Sequence, residues 1–464
     1  MKCIYHIHTD EIIAKTDPKR FLGFCIDADQ FEDAEQESCL WELKSPVVQN
    51  LCRELAPATI RLGGSGIERI EFVENQSAPH KMSDPHHFLF DHEKADAVGE
   101  FCRATNADLM LSIPIRDGDV ENAIRMADYF IHERKDPVPF IEMGNEPDWG
   151  WGASGKLYTE RVTAFYEAMK ERFPDQKWIG GYGGRSYPFG ICHPDSDAYR
   201  EFVAACGSMI DIFSTHYYTC SANRDYSSVD FMLDRWATDI KANRVNELNR
   251  ILHHAGLGQK EITVNEFNTF ASQGIDGVSN AMPAAVWLAD MVGNMAKAGS
   301  PINNIQCGFG RKHGHYEFWR YAMIDTSDHQ IRINPHFYAF YLWSRMMGNE
   351  HLLSYGANTH PVTCHATRRD GCLRIMLINK DPDESHEVEL QIAALPASAL
   401  RNFEIYSLNS EANPNNAASI NGAGVDATGC MAAVPPQAHT VEQDTLSVSV
   451  PACSVLVVSI REAS

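Results

Sequence analysis

Two glutamates close short apolar segments of the chain, in positions that suit catalysis. Glu146 follows the segment IEMGN (141–145), and Glu266 follows ITVN (262–265). Two carboxyl groups, one protonated and one ionised, are the minimum equipment for cleaving a glycosidic bond through an oxocarbenium-like transition state. A gap of about 5 to 5.5 Å gives retention of configuration, whereas about 6.5 to 9.5 Å admits a water and gives inversion. The sequence leaves this choice open.

These glutamates belong to a regular alternation of apolar runs and stretches of helical period, which is typical of βα units around a parallel sheet. The predicted strands are 21–29, 58–64, 108–115, 140–146, 178–184, 211–218, 261–267 and 303–310. The predicted helices are 40–55, 93–105, 120–133, 158–173, 198–206, 229–254, 281–298 and 335–347. An open doubly wound sheet would give a similar pattern, but no glycine-rich dinucleotide fingerprint follows the first strand. We therefore predict a closed (β/α)8 TIM barrel.

A TIM barrel places its active site at the C-terminal ends of the strands. On the predicted pattern, Glu146 ends strand four and Glu266 ends strand seven. Both carboxylates are therefore expected at the same end of the barrel.

The pattern changes after about Gly348, where helical periods give way to short alternating segments at 362–367, 373–378, 387–392, 403–408 and 446–460. This predicts a C-terminal antiparallel β-sandwich. Residues 2–8 alternate in the same way and are expected to join the sandwich. The predicted division is an N-terminal strand in 1–18, a catalytic barrel in 19–347 and the sandwich in 348–464.

Composition narrows the classes of partner. The chain has 40 basic and 62 acidic residues, a net charge of −22, which disfavours nucleic acid and anionic membranes as partners. The 13 cysteines are scattered without a CxxC pair, so we expect reduced, buried thiols. The histidine pairs lack the spacing of metal ligands, so we expect no metal and no cofactor. With no long apolar segment, the chain is expected to be soluble and cytoplasmic.

The motif GNEP (144–147) together with Glu266 resembles the retaining glycoside hydrolases of clan A. The resemblance implies that Glu146 is the general acid/base and Glu266 the nucleophile. It also implies that Asn145 donates a hydrogen bond to the substrate's 2-hydroxyl. Such a bond lowers the barrier because it strengthens as charge develops.

Within the clan, the chain is most similar to family 79, the heparanase-like β-glucuronidases. IRLGG (60–64) resembles the Arg-Phe-Gly-Gly segment of that family's second strand. THYY (215–218) resembles its His-His-Tyr-Tyr on strand six, and RYAMID (320–325) its Asn-Tyr-His-Leu-Val-Asp. The resemblance implies an exo-acting β-glucuronidase or a heparanase-like relative.

Three further positions have separable physical roles. Arg61 is expected to bond strand-end carboxylates from below the site and keep one of them ionised. A tyrosine of strand six, either Tyr217 or Tyr218, is expected to hydrogen-bond the nucleophile. His216 is expected to contact the sugar or the acid/base. The structural alternatives are an ion pair, a core aromatic and a buried core histidine.

By the same resemblance, Tyr321 contacts the carboxylate of a uronic acid, assisted by backbone amides of a Gly-Gly pair after the nucleophile. Here Gly274 and Gly277 are separated, and Asp276 lies between them. An acidic residue there would repel a carboxylate. A neutral sugar, or an Asp276 that points away, would resolve the conflict.

The loops around the site add candidates for substrate contact. Trp149 and Trp151, just after the acid/base, are candidates for stacking on a sugar ring or for packing at the barrel mouth. The run RKHGHY (311–316) follows strand eight and places positive charges near the mouth, unless it is an ordinary solvated loop. The expected partner is an oligosaccharide or glycoside.

Two other classes of function fit the same residues. The enzymatic alternative is an α-L-arabinofuranosidase of family 51 or a β-xylosidase of family 39, because both share the clan residues and a C-terminal β-sandwich. The other alternative is a catalytically inactive carbohydrate-binding barrel. The presence of both glutamates argues against the latter.

Overall fold

Eight parallel strands close into a barrel, and each pairs with the next barrel strand along the chain. In chain order they are β1 (Leu22–Asp27), β2 (Thr59–Gly63), β3 (Asp108–Ile113), β4 (Phe140–Met143), β5 (Lys177–Gly180), β6 (Ile212–Ser221), β7 (Glu261–Ala271) and β8 (Asn303–Ile305). The ring closes between β8 and β1. The predicted barrel is confirmed.

The computed structural model describes residues 3–32, 39–77, 87–148, 154–181, 197–221, 228–271, 274–313, 316–357, 361–393, 395, 401–410, 418–440 and 446–462. Every residue of β1 and β2 is buried. Strands covered on both faces read as continuous apolar runs rather than alternating ones, which is why the sequence pattern located them.

Helices cover the outside of the barrel. The α-helices are Leu40–Lys44, Pro46–Leu55, His92–Thr105, Val120–Asp128, Gly155–Met169, Asp197–Cys206, Val229–Leu233, Arg235–Thr238, Asn246–His254, Met282–Ala298 and Pro335–Tyr341. Tyr129–Glu133, Lys241–Val245 and Leu342–Met346 are π-helical, and Ala28–Phe31, Ser65–Arg69, Phe318–Arg320 and Ser327–His329 are 3-10 turns. Short strands at the barrel mouth pair Ile70–Val73 with Phe88–Asp91, Lys312–His313 with Tyr316–Glu317, and Ile324–Asp325 with both Phe309–Gly310 and Arg332–Ile333.

Two predicted helices are broken for local reasons. The segment 40–55 forms two helices because Ser45 precedes Pro46 and is extended, and its hydroxyl accepts a hydrogen bond from the Val48 amide. The segment 229–254 restarts at Asp234, whose side chain caps Arg235–Thr238.

Three predicted strand ends are corrected. β4 ends at Met143, so Glu146 lies in the following loop, because Gly144 and Glu146 adopt positive φ of 77° and 42°. β7 continues past Glu266 to Ala271. β8 ends at Ile305, and Phe309–Gly310 pairs outside the barrel with Ile324–Asp325.

The second unit is a ten-stranded sheet. Its strands are Cys3–Lys15, Glu350–Ala357, Val362–Arg369, Cys372–Asn379, His386–Ala393, Asn402–Ser410, Ala418–Ile420, Gln437–Thr440, Leu446–Val450 and Ser454–Arg461. Cys3–Lys15 pairs antiparallel with Glu350–Ala357 and parallel with His386–Ala393, so the N-terminal segment does belong to this sheet. The predicted single segment 446–460 is two strands, which pair with different neighbours. The division at residues 18 and 347 stays a prediction.

Alternate residues of the sheet face two different cores. Ile375 and Leu377 pack in the sheet's own interior, whereas Met376 and Ile378 join the core of the barrel. This is the period of two that a strand imposes. The sheet therefore packs directly against the barrel.

A buried ion pair also joins the barrel to the sheet. Asp290, on helix Met282–Ala298, lies 2.7 Å from Lys380 and 2.9 Å from His365 of the sheet. Burial alone would raise the pKa of Asp290, but Lys380 and His365 hold it well below its ordinary value. Gly293, one turn along the helix, leaves room for the His365 ring, because a Cβ there would lie 2.3 Å from Nδ1.

The cysteines that the structure describes are all unpaired thiols, and most are buried. Within the described ranges, no helix is both long and apolar enough to span a membrane. The cytoplasmic location stays a prediction.

Candidate active site

The site is built around Arg61 of β2, whose side chain is fully buried among strand-end groups. Its Nε donates to Glu142 at 2.7 Å, its Nη1 to Glu266 at 2.8 Å and its Nη2 to the Asn145 side-chain oxygen at 2.8 Å. One rigid guanidinium fork therefore fixes three side chains of β4, its following loop and β7. Arg61 was expected to bond strand-end carboxylates; it bonds two carboxylates that lie within β4 and β7, Glu142 and Glu266.

Glu142, in the middle of β4, is a member of this network that the sequence reading missed. Besides Arg61, it accepts hydrogen bonds from the Ser112 hydroxyl and from the Asn265 amide. Two buried carboxylates thus share one guanidinium, and Glu142 has further donors to balance its charge. The available signal was a charged residue within an otherwise apolar barrel strand.

Glu266 of β7 is held on both carboxylate oxygens. Tyr218 donates to Oε1 at 2.7 Å and Arg61 donates to Oε2 at 2.8 Å. Between Val264 and Glu266 the pairing of β7 with β6 shifts register, which re-aims the side chain. Burial alone would raise the pKa of Glu266, but His216, Arg61 and the Tyr218 bond outweigh it and lower the pKa below its ordinary value.

Glu146 lies in the loop after β4, and its carboxylate contacts the His216 ring, with Oε1 2.7 Å from Nδ1. Burial raises the pKa of Glu146 to about 7, and the negative charge of Glu266 adds to this effect, although His216 opposes it. The two glutamates therefore shift in opposite directions, which leaves Glu146 protonated under conditions where Glu266 is ionised.

The gap between the two carboxylates is short. One oxygen of Glu146, one oxygen of Glu266 and one ring nitrogen of His216 all lie within 4.8 Å of one another. His216 Nδ1 is also 3.7 Å from Glu266 Oε1. This spacing fits the closer of the two geometries that separate retaining from inverting enzymes.

Glu68, in the 3-10 turn after β2, holds the loop that carries Glu146. Its Oε1 accepts from the Asn145 backbone N–H at 2.8 Å, and its Oε2 accepts from the Ile115 and Arg116 amides at 2.9 Å each. A Cβ on Gly144 would lie 2.5 Å from Glu68 Oε1, so the close approach requires glycine. Burial nevertheless raises the pKa of Glu68 to about 7. Sequence reading missed this residue too.

Asn145 is orientated by two neighbours. Glu68 accepts its backbone N–H, and Arg61 occupies its side-chain oxygen at 2.8 Å. Among the described residues its Nδ2 has no protein partner. The amide group is therefore fixed with its donor free, as a hydrogen bond to a substrate hydroxyl requires.

The structure separates the two tyrosines of β6. Tyr218 bonds Glu266, whereas the Tyr217 hydroxyl donates to the Ala237 carbonyl at 2.7 Å, outside the barrel. Adjacent strand residues point to opposite faces, so only one of them can reach the site. His216, two residues before Tyr218, shares its face and contacts the acid/base candidate rather than a purely apolar core.

Tyr321 is buried next to Gly274, where a Cβ would lie 2.9 Å from its ring. Its phenol is hydrogen-bonded to Cys307, and burial raises its pKa well above the ordinary value. Asp276 is exposed, and its carboxylate accepts from Asn280 Nδ2 at 2.9 Å. The acidic side chain therefore has a partner of its own in the loop.

Another carboxyl group, that of Asp27, lies at the end of β1 and was also missed. It accepts from Gln306 Nε2 at 2.6 Å and from the Asp29 amide at 2.9 Å. Burial, and then the charge of Asp29, raise its pKa well above the ordinary value. Both carboxyl oxygens of Asp27 are therefore engaged by donors within the protein.

The remaining candidates are the two tryptophans after the acid/base and the basic run after strand eight. Trp149 and Trp151 lie outside the described residues. In the run 311–316, Arg311 is buried and lies 3.9 Å from Glu42, while Lys312 is exposed and lies 5.1 Å from the Trp319 ring centre. Of the two described side chains in this run, only Lys312 is therefore a surface cation.

A metal ion is a poor fit to the carboxylate pair. Glu146, His216 and Glu266 have the spacing of possible ligands, but His216 and Glu146 already contact each other. The guanidinium of Arg61, 2.8 Å from Glu266, supplies the positive charge that a cation would otherwise bring. The carboxylate oxygens and the ring nitrogen that could bind a metal are already engaged in contacts within the protein.

No protein-family model matches the sequence. The chain is 20% identical over 389 residues to baicalin-β-D-glucuronidase of Scutellaria baicalensis, an alignment that covers 75% of this chain and 71% of that protein. The fold of the present chain is similar to that of a family 51 α-L-arabinofuranosidase of Thermotoga petrophila RKU-1, with a TM-score of 0.72 and 13% identity. The match covers 99% of this chain and 100% of that one. A 4-O-α-L-rhamnosyl-β-D-glucuronidase of Fusarium oxysporum 12S has the same TM-score, 15% identity and coverage of 98% and 99%.

Proposed function

We propose that this protein is a retaining glycoside hydrolase that cleaves a β-glycosidic bond by double displacement. The observation that carries the proposal is the pair Glu146 and Glu266, with oxygens within 4.8 Å and pKa values shifted in opposite directions. Two carboxyl groups with divergent pKa values divide the roles of acid and nucleophile. The similarity to a β-D-glucuronidase supports the same class of reaction.

In the first step, ionised Glu266 attacks the anomeric carbon and forms a glycosyl ester. Glu146 gives its proton to the leaving oxygen, which departs as an alcohol. Asn145 Nδ2 donates to the sugar's 2-hydroxyl as positive charge develops on the ring. Arg61 and Tyr218 hold Glu266 ionised and in line for attack.

In the second step, water attacks the anomeric carbon of the glycosyl ester on the face that the leaving group vacated. Glu146, now ionised, takes the water's proton, and Glu266 is released as a carboxylate. Because the charge of Glu266 contributes to the raised pKa of Glu146, ester formation lowers that pKa and favours the switch from acid to base. Two inversions return the original β configuration.

A β-glucuronide is the leading substrate, and the chain fits best beside family 79. Tyr321 with the neighbouring Gly274 supports contact with a uronate, and Asp276 is exposed and bonded to Asn280. The bond to Asn280 supports the alternative in which Asp276 points away from a bound uronate.

The fold similarity to an α-L-arabinofuranosidase keeps that activity open as a second candidate. The β-xylosidase activity rests on the sequence motif alone. A panel of nitrophenyl glycosides separates them. We expect turnover of the β-glucuronide that is lost in Glu266→Ala. Turnover of the arabinofuranoside or xyloside, with none of the glucuronide, would refute the substrate assignment and leave the mechanism intact.

The same panel of glycosides tests the alternative of a non-catalytic barrel. A binding protein would retain oligosaccharide and cleave none of the glycosides. Undiminished hydrolysis by Glu266→Ala would instead show that the nucleophile is another group.

A further inference from the structure

A cavity of about 610 Å³ lies between the barrel and the sheet. Its walls come from the helical region 235–245, helix Met282–Ala298 and the sheet strands Cys3–Lys15, Glu350–Ala357 and Val362–Arg369. No residue of the candidate active site lines it. The volume lies in the range of small-ligand sites, about 300 to 1,000 Å³.

Lys297 brings an incompletely satisfied cation to this cavity. Its ammonium donates to the Cys364 carbonyl at 3.4 Å, and within the described part of the chain it forms no ion pair with a carboxylate. Burial lowers the pKa of Lys297, and the negative charges of Asp290 and Asp239 oppose this shift only in part. An ammonium has three donors, so at least two lack a protein acceptor in the described ranges.

A buried hydroxyl lines the same cavity. Thr363 is only 9% exposed, and its Oγ1 has no hydrogen-bond partner among the residues that the structure describes. Buried polar atoms are rarely left unpaired, because the loss of water is then uncompensated. Lys297 and Thr363 together therefore favour a ligand that accepts hydrogen bonds and carries negative charge.

The charged residues around the cavity favour an anion as the ligand. Arg235 and Lys241 also line the cavity, and the buried acid there, Asp290, is already neutralised by Lys380 at 2.7 Å. Asp239 is the other acidic residue in the lining. The cavity is thus basic on a protein whose net charge is −22.

An aromatic platform stands at the edge of the cavity. Tyr355 is 50% exposed, and its ring lies over His6 and His8 with centres 5.1 and 5.6 Å apart. Ile13, also in the lining, is 40% exposed. An exposed ring that is held in place on one side suits the C–H face of a pyranose.

We infer that this cavity is a second saccharide-binding site, selective for an acidic sugar. The sugar carboxylate accepts hydrogen bonds from Lys297 and Thr363, and a ring of the chain stacks on Tyr355. The saccharide part of this inference rests on the proposed function, whereas the anion part rests on the cavity alone. The site would hold an acidic glycan chain away from the catalytic carboxylates.

Calorimetric titration of the full chain tests the inference with three probes. They are trigalacturonate, the neutral trisaccharide maltotriose and sodium sulfate. Wild type should bind trigalacturonate most tightly. Lys297→Met should weaken that binding by about tenfold or more, because a hydrogen bond to a charged group is lost. Thr363→Val should weaken it less.

Lys241→Met provides a second variant on an exposed residue, and a weaker affinity is expected there too. Lys156→Met, on an exposed lysine outside the cavity, is the matched control and should titrate like wild type. Lys297→Met should cleave nitrophenyl glucuronide at the wild-type rate. The titration measures binding alone, so it tests the cavity whether or not the glucuronide is cleaved.

Unchanged trigalacturonate affinity in both Lys297→Met and Lys241→Met would overturn the site. Equal affinity for sulfate and trigalacturonate would overturn its saccharide character. Equal affinity for maltotriose and trigalacturonate would overturn its selectivity for acidic sugars.

Discussion

The phenol of Tyr218 donates a 2.7 Å hydrogen bond to Oε1 of Glu266. This bond and the Arg61 contact occupy different oxygens of the carboxylate, so each oxygen has its own donor. Hydrogen bonds to the ionised form lower the pKa of a carboxyl group. The bond therefore keeps the proposed nucleophile both charged and orientated.

Tyr218→Phe removes that donor and leaves the ring. We expect kcat to fall by about 10- to 100-fold, the loss of one hydrogen bond to a charged group. The pKa of Glu266 should rise, so the acidic limb of the pH–rate profile should move to higher pH. Steady-state kinetics across pH measures both effects.

Tyr217→Phe is the matched control, because its hydroxyl bonds the Ala237 carbonyl. Its acidic limb should coincide with that of wild type. Equal shifts in the two variants would show that the effect comes from packing of β6 and not from the bond to Glu266.

The opposite pKa shifts predict the shape of the pH profile. Glu266 loses its charge only below its ordinary range, whereas Glu146 loses its proton near pH 7. The active form, with Glu266 ionised and Glu146 protonated, therefore exists between these limits. We expect kcat/KM to fall as pH rises through about 7, and this basic limb to vanish in Glu146→Gln. A basic limb that persists in Glu146→Gln would assign it to another group.

Arg61 should contribute strongly to stability. Arg61→Met leaves Glu142 and Glu266 buried without their shared cation, which should cost about 3 to 5 kcal/mol in the free energy of unfolding. Urea unfolding measures this loss. Arg250→Met, which removes an exposed pair with Glu247, should change stability by less than about 1 kcal/mol. A comparable loss in both variants would contradict the central place of Arg61.

Glu68 should act as a positioning residue. In Glu68→Gln, an amide N–H group must face at least one of the backbone donors of Asn145, Ile115 and Arg116. The loop carrying Glu146 should then shift, lowering kcat by about tenfold or more with little change in KM. Glu93→Gln, on an exposed glutamate paired with Lys44, is the control. A rise in KM alone would place Glu68 in substrate binding instead.

Much of this arrangement follows from local sequence. The barrel strands are buried on both faces and read as apolar runs, and the glutamates stand out because they follow such runs. Glu142 was harder to place, because only barrel closure decides that its side chain points toward Arg61. Glu68 contacts a residue 77 positions away, and no local pattern encodes that contact.

The helix breaks show the same limit at a smaller scale. Ser45 before Pro46 carries a readable break signal, yet the helical period runs through it. The positive φ of Glu146, at 42°, is imposed by tertiary contacts of its loop and is not favoured by its residue type. Residue pattern thus located the carboxylates, while long-range contacts set their geometry.

The most direct test of the account is to trap the covalent intermediate. A 2-deoxy-2-fluoro-β-glucuronyl fluoride should glycosylate the enzyme, and the glycosyl-enzyme should hydrolyse slowly. The fluorine at carbon 2 destabilises the oxocarbenium-like transition state of both steps, whereas the fluoride at carbon 1 is a good leaving group. Peptide mass spectrometry of the trapped protein should find one added sugar, on Glu266. A label on any other residue, or hydrolysis with inverted configuration and no label, would contradict the account.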